Sequence, residues 1–301
     1  MDNVTRFTLK TAHGKYHITQ TDKFYNAQLC SSSFTLGFIK EKRRACMDVS
    51  VTVPIVKDER FALFSKKTAH INWIEYADVC SLKHFHQIQG KFTKDMINVL
   101  LTYILYKHPT IEYFKFNDAS TIDCESVSVS LPNLSIATSG KTWYEKYFNA
   151  SLIDTDRERA YANNLKKLAD ADYVMPFKVF CDFLTIPLQI VEIIRPHYVV
   201  DGKTNYLTIF KNLKTETKLQ FCKICENWLD KFMKHMLNNL NFLAEDWKIP
   251  SESVRAHSVK YDIEASSLKA IESTNATVGG CVEKRRVKDG VLRHIFPSSE
   301  L

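Results

Sequence analysis

The stretch Gln87-Ile88-Gln89-Gly90-Lys91-Phe92-Thr93 opens an amphipathic segment that continues to Lys107. Apolar residues in this segment recur at the three- and four-residue spacing of a helix, and Pro109 follows to end it. A strand-like segment precedes the stretch, and a second one, residues 111–116, follows the helix. This order predicts two parallel strands joined by a right-handed crossover helix.

The same stretch has the residue types of an anion-binding turn. Glycine lets the backbone come close to a ligand, and the free N–H groups at a helix start attract negative charge. A Gln, a turn glycine and a Thr at a strand-to-helix junction are therefore what pyrophosphate binding needs. A purely structural turn between strand and helix fits these residues equally well.

Composition describes an ordinary globular chain. Of its 301 residues, 45% are hydrophobic and 25% charged, and the net charge of +7 permits a nucleic-acid or other acidic partner without requiring one. No run of apolar residues approaches the roughly 20 that span a bilayer. The first ten residues lack the apolar core of a secretory signal. We therefore expect a cytoplasmic protein that does not contact a membrane.

Eight cysteines are scattered through segments with regular patterns. In a chain of this length without a secretory signal, we expect reduced thiols rather than a disulfide framework. Cys222 and Cys225 form a CxxC pair, but no second pair follows, so half of a zinc site is missing. The sequence predicts no metal site.

The N-terminal part is mostly strand-like. His13-Gly14 separates two short apolar runs and predicts a hairpin, and residues 47–56 alternate apolar and polar with the period of a strand. Residues 20–30 fit either a strand or a short helix. The short helix, capped by Thr21 or Asp22, is the alternative to the strand pattern of this region.

Beyond residue 153 the pattern becomes helical. Residues 156–170, 177–184 and 216–247 have helical apolar spacing, and the last of these predicts one long amphipathic helix. The tail after Ser251 is more polar and contains Asp289-Gly290, a hairpin turn signal. We predict three domains, at residues 1–153, 154–250 and 251–301.

The tail also carries a local excess of positive charge. Lys284, Arg285 and Arg286 are consecutive, and two further basic residues follow by Arg293. Such a cluster is a candidate contact for nucleic acid or an acidic protein. A solvated basic ribbon without a specific ligand is the alternative.

Two segments together resemble the GNAT-type N-acetyltransferase superfamily over roughly residues 45–153. Residues 87–92 look like the Q/R-x-x-G-x-G/A pyrophosphate loop of that family. The sequence Trp143-Tyr144-Glu145-Lys146-Tyr147-Phe148 is similar to the aromatic segment that ends the family's next helix. Asn117 and Ala119 lie between them, as in the family's connection.

The resemblance implies an α/β (α+β) fold: a GNAT-like mixed sheet with flanking helices, then a mainly helical half and a β-ribbon tail. It implies transfer of an acetyl group from acetyl-CoA to an amine by direct attack. Tyr144 would protonate the leaving thiolate. The base is left open among Glu75, His84, His86 and Asp118. The cofactor would be held by Gln87, Gln89, Gly90, Lys91, Phe92 and Thr93.

Two positions depart from the family pattern. Phe92 replaces a Gly or Ala of the loop, and Tyr147 replaces the Gly before the final aromatic residue. The alternative function is therefore a non-catalytic scaffold that binds a protein or nucleic acid. Residues 140–150 also resemble uncharacterised proteins of large double-stranded DNA viruses, which implies a location in host cytoplasm or a virion.

Overall fold

Alternating buried and exposed side chains build a β-sheet from the N-terminal segments. The computed structural model describes residues 3–12, 14–26, 29–37, 46–54, 68–74, 91–124, 127–198, 203–242, 244–258, 261–265 and 293–294. The chain divides into two compact units. Unit 1 comprises Met1–Phe116 and Ile249–Leu301, and unit 2 comprises Asn117–Lys248. The predicted boundary at residue 153 differs from the boundary at Phe116.

Unit 1 contains a meander of five antiparallel strands. Each strand pairs with the next along the chain, and the predicted hairpin at residues 13–14 is confirmed by the pairing of Thr11 with Gly14. Residues 20–26 belong to the second strand, so the alternative of a short helix there is wrong. The strands are β1 (Asn3–Thr11), β2 (Gly14–Asn26), β3 (Leu29–Leu36), β4 (Met47–Pro54) and β5 (Thr68–Ile74).

One face of this meander is buried. Register pairs Phe7 with Ile18, Ile18 with Leu36, and Leu36 with Met47, so a continuous apolar row crosses four strands. All four side chains are buried. Because side chains alternate along a strand, the period of two predicted from the sequence places these residues on the same face.

A helix, α1 (Lys91–Lys107), packs on the sheet. The Tyr103 ring lies 4.8 Å from that of Phe7 and 6.1 Å from that of Phe34, measured between centroids. Every residue from Met96 to Leu105 is buried. A helix buried on all sides is covered by more than one element, and the sequence predicted this helix to within one residue.

Strand β6 (Tyr113–Phe116) follows α1 and pairs with β5 in parallel, with Ala69 opposite Phe114. The predicted strand–helix–strand arrangement with parallel pairing is confirmed. β5–β6 is the only parallel pair for which the described strands give a register, because all the others are antiparallel. The protein therefore has a mixed sheet and belongs to the α+β class.

The end of the chain returns to unit 1. The amide of Ser251 donates to the carbonyl of Glu112 at 2.8 Å, and Arg255 donates through Nη2 to the carbonyl of Pro109 at 2.9 Å. Helix α10 (Ser251–Ala256) is thereby held beside the connection between α1 and β6. Strand β11 (Tyr261–Ala265) pairs with β1, and the short β12 (Arg293–His294) pairs with β11.

Unit 2 is mainly helical. Its β-structure comprises the hairpin of β7 (Thr121–Cys124) and β8 (Val127–Ser130), and β9 (Ser151–Leu152) paired with Trp247–Lys248, which begin β10 (Trp247–Pro250). The helices are α2 (Leu131–Ser139), α3 (Trp143–Phe148), α4 (Thr155–Ala169), α5 (Phe177–Leu184), α6 (Leu188–Ile194), α7 (Tyr206–Thr217), α8 (Phe221–Cys225) and α9 (Leu229–Met236).

The core of unit 2 is aromatic. Phe232 contacts Phe180, Tyr206 and Phe210, with ring centroids 4.8 to 5.7 Å apart. Trp228 stacks on Phe210 at 5.8 Å, and its indole N–H donates to the carbonyl of Ile224 at 2.7 Å. Edge and tilted contacts between such rings stabilise a core beyond their buried area.

The prediction of one long helix over residues 216–247 is wrong. The chain turns at Lys218, forms the short α8, turns again at residues 226–228, and continues as α9. Lys218, Asn238 and Asn239 have positive φ values of 49°, 53° and 57°, which interrupt a helix. Apolar spacing continued through these breaks because the separate segments all contribute to one core.

Candidate functional site

The start of α1 is the described part of the predicted pyrophosphate loop. Gln87, Gln89 and Gly90 lie outside the described residues. Lys91 and Phe92 are the first two residues of the helix, and Thr93 is half-buried in its first turn. The loop therefore does lead into a helix N-terminus, as the sequence predicted.

Charge at this helix start favours an anion. The first turn contains no acidic residue, and both Lys91 and Lys94 lie in it. The first N–H groups of a helix have no intrahelical acceptor, and the aligned peptide dipoles place partial positive charge there. With 17 residues, α1 is long enough for its peptide dipoles to add up to this partial positive charge.

Topology places the helix start at the carboxyl edge of the parallel pair. Only residues 108–112 separate the end of α1 from β6, so the end of the helix stays near the beginning of that strand. The helix is about 25 Å long, and it packs on the sheet as it runs back from there. Its N-terminus therefore lies toward the carboxyl ends of β5 and β6, where open sheets commonly bind ligands.

In unit 2, Tyr144 lies in the first turn of α3. Its side chain is buried, with 9% of the residue exposed, and its ring contacts Trp143 edge-on at 5.1 Å. Burial raises the pKa of the Tyr144 phenol, and the negative charge of Asp118 raises it further. The hydroxyl therefore keeps its proton over the whole neutral range.

Asp118 is the one base candidate that the described residues include; Glu75, His84 and His86 lie outside them. Asp118 is 5% exposed, and its carboxylate accepts hydrogen bonds from the Ser120 hydroxyl at 2.5 Å and from the Ser120 amide at 3.2 Å. Burial raises the pKa of Asp118 to about 6, against the opposing effect of these bonds. A carboxylate with that pKa can accept a proton near neutral pH.

Helix α3 is fixed at its start by a capping box. The hydroxyl of Thr142 accepts from the amide of Glu145 at 3.1 Å, and the Glu145 carboxylate accepts from the amide of Thr142 at 2.6 Å. Gly140, just before, has a φ of 71°, which lets α2 end and the chain reverse toward α3. Gly140-Lys141-Thr142 is therefore a junction between two helices.

The described cysteines differ in their oxidation state. Cys46 and Cys222 each take part in a separate disulfide, so the prediction of reduced thiols is wrong at these two positions. Cys181 and Cys225 are free, and burial raises the pKa of both thiols. Cys225 is therefore a buried neutral thiol, unsuited to nucleophilic attack.

The remaining sequence predictions concern the tail and binding of ions. Lys284, Arg285 and Arg286 lie outside the described residues, as does the predicted turn at residues 289–290. Within the part that is described, no group of three or more His, Cys, Asp and Glu side chains is arranged to hold a metal ion. No described helix combines the length and apolarity needed to cross a membrane.

Sequence reasoning missed a basic cavity on unit 2. We call it the α9 pocket; it is lined by Phe183, Lys231, Lys234, His235, Asn238 and Asn239. Basic residues at positions i, i+3 and i+4 of α9 form one face of that helix, a signal that the sequence did contain. The contribution of Phe183, distant in sequence, could not be predicted from it.

The chain matches no family model, no curated protein and no solved structure. Arguments about function therefore depend on its own residues and their geometry.

Proposed function

We propose that the protein is a divergent GNAT-like N-acyltransferase that uses acetyl-CoA and an amine acceptor. The observation that carries the proposal is the N-terminus of α1, whose first turn contains no acidic residue and which follows β5 in the parallel pair. A pyrophosphate group would be held here by the first N–H groups of the helix, and Lys94 adds positive charge to the same turn. The family resemblance supplies the acetyl-CoA.

Acetyl-CoA would supply an activated acetyl thioester. The acceptor nitrogen would lose a proton as it takes the acetyl group, and the sulfur of CoA would gain one. We assign to Tyr144 the role of giving a proton to the sulfur of CoA, because its raised pKa keeps it protonated until a thiolate forms. We assign to Asp118 the role of taking the proton from the acceptor nitrogen, because its pKa of about 6 leaves it ionised at neutral pH.

Support for these two roles comes from the protonation states that the surroundings of Tyr144 and Asp118 favour at neutral pH. Both groups lie in unit 2, and the pKa of Tyr144 responds to the charge of Asp118. A site that holds one group protonated and another ionised at the same pH has the pattern of an acid and a base. The capping box of α3 fixes the backbone that carries Tyr144.

Thermal stability with and without acetyl-CoA tests the proposal. A ligand that binds only the folded protein raises the melting temperature as its concentration exceeds the dissociation constant. We expect a saturable rise with acetyl-CoA and a smaller one with acetate at matched ionic strength. No rise with acetyl-CoA at millimolar concentration would reject the proposal.

A non-catalytic interaction protein is the second candidate, and one observation favours it. Three apolar side chains on α5 and α6 are exposed: Val179 (51%), Leu188 (83%) and Ile193 (37%). Apolar groups displayed on neighbouring helices are typical of a surface that binds another protein. Absence of acetyl-CoA binding, together with a loss of partner binding in Leu188→Ser, would favour this function.

A further inference from the structure

The α9 pocket is a cavity of about 450 Å³ in unit 2. This volume is in the range of small-molecule sites. The function proposed above assigns no role to its lining residues, and no step of acetyl transfer uses them. A second cavity, of about 550 Å³, includes the carboxylates of Glu192 and Glu216 beside Lys218, so its charge is mixed.

Charge distinguishes the α9 pocket from that second cavity. Among the residues that the structure describes, its lining includes two lysines, a histidine and two asparagines, and no carboxylate. Lys231 and Lys234 therefore carry positive charge that no acidic side chain of the described lining neutralises. An anion in the cavity would meet both ammonium groups without facing a like charge.

One wall of the cavity is held in place before any ligand arrives. The Nζ of Lys231 donates to the carbonyl of Phe183 at 2.5 Å and lies 5.1 Å from the centre of the Phe183 ring. The ring of His235 lies 5.0 Å from the same ring, at an angle of 61°. These contacts join α5 to α9 and fix two of the basic groups at set positions.

The floor near Asn238 and Asn239 is also fixed. Both residues have positive φ values, and their amides donate to the carbonyls of His235 (3.4 Å) and Lys234 (2.7 Å) at the end of α9. The backbone N–H groups of both asparagines therefore bind carbonyls of α9 rather than facing a ligand. The side chains of the two asparagines are left to offer amide N–H groups to a ligand.

We infer that the α9 pocket binds the phosphate group of a small phosphorylated molecule. A phosphate has up to two negative charges and three strong acceptor oxygens, which match two lysines, a histidine and two amides. Lysine is an effective point charge for phosphate, and charge-assisted bonds of this kind are short and strong. The inference does not depend on the acetyltransferase proposal.

The full-length chain, titrated with inorganic phosphate and separately with AMP, tests this inference. The NMR signal of the His235 ring reports on the pocket itself, and its assignment follows from its absence in His235→Gln. We expect a saturable shift of this signal with phosphate that an equal ionic strength of sodium chloride does not produce. Tighter binding of AMP would indicate a phosphate ester as ligand, and equal affinity would indicate phosphate alone.

Matched lysine variants make the test specific. Lys234→Gln removes one ammonium group of the pocket, and we expect about ten-fold weaker binding because charged hydrogen bonds are strong. Lys211→Gln changes an exposed lysine of α7 outside the lining, and binding should be unchanged. A His235 signal that does not respond to either anion, or equal affinity in Lys234→Gln, would overturn the inference.

Discussion

The hydroxyl of Tyr161 in α4 donates a 2.8 Å hydrogen bond to Oε2 of Glu145 in α3. The same oxygen accepts the amide of Thr142, so one carboxylate joins the start of α3 to the neighbouring helix. Tyr161 is buried, and burial raises the pKa of Glu145. This network holds the helix that carries Tyr144.

Tyr161→Phe removes the donor and leaves a partly buried carboxylate with one bond fewer. Hydrogen bonds to charged groups contribute about 1.5–3 kcal/mol, so we expect the free energy of unfolding to fall by that amount. Urea denaturation at neutral pH measures it. Tyr173→Phe is the control, because Tyr173 is exposed and its change should have little effect. Equal losses in the two variants would contradict the network.

Thr142→Ala removes the hydroxyl half of the capping box. The Thr142 side chain is buried and accepts from the amide of Glu145. Loss of such a cap costs about 1 kcal/mol and up to about 2. Thr142→Ser keeps the hydroxyl and should retain most of the stability. If serine and alanine destabilise the protein equally in urea, the methyl group rather than the cap is responsible.

Asp118→Asn tests the buried carboxyl through pH. Because the pKa of Asp118 is raised from 3.8 to about 6, the folded state holds this proton more tightly than the unfolded state does. Its contribution to stability is therefore greatest below pH 3.8 and is lost as pH rises through about 6. Asparagine does not titrate, so the variant should gain about 2–3 kcal/mol relative to the wild type between about pH 4 and pH 7.

Urea denaturation at several pH values measures this difference. Asp182→Asn is the matched control, because it makes the same substitution at an exposed position of α5. A difference between Asp118→Asn and the wild type that is independent of pH would show that the folded-state pKa of Asp118 is not raised.

Tyr144→Phe tests the proposed acid. We expect turnover of acetyl-CoA with a panel of amines to fall about 100-fold, in the range of general acid catalysis. Acetyl-CoA affinity should be unchanged, because the phenol acts on the leaving sulfur rather than on the pyrophosphate. Release of free thiol measures turnover. Tyr147→Phe, three residues along the same helix, is the control. Equal turnover in wild type and Tyr144→Phe would exclude Tyr144 from the mechanism.

Much of unit 1 could be predicted from the sequence. The alternation in β4 and the helical spacing in α1 each report which side chains are buried, and both elements were located to within two residues. Parallel pairing of β5 and β6 followed from the helix between them. Residues 20–26 were ambiguous because polar Gln20 and Asp22 are on the buried face, where the Asp22 carboxylate accepts hydrogen bonds from Gln20 and Ser32.

Unit 2 and the candidate sites were less predictable. Apolar spacing does not show where a chain reverses, and Lys218 takes a positive φ without a glycine to signal it. The burial of Asp118 and the contact between Phe183 and Lys231 arise from tertiary packing of segments distant in sequence. Local patterns identify residue types but not these environments.

Isothermal titration of acetyl-CoA into wild type, Thr93→Gln and Thr93→Glu tests the central claim most directly. A glutamate in the first turn of α1 interacts favourably with the helix dipole, so the variant should remain folded. Its negative charge should nevertheless repel a pyrophosphate. We predict saturable binding to the wild type, similar affinity in Thr93→Gln and about ten-fold weaker binding in Thr93→Glu. No binding to the wild type at millimolar acetyl-CoA, or equal affinity in all three proteins, would contradict the account.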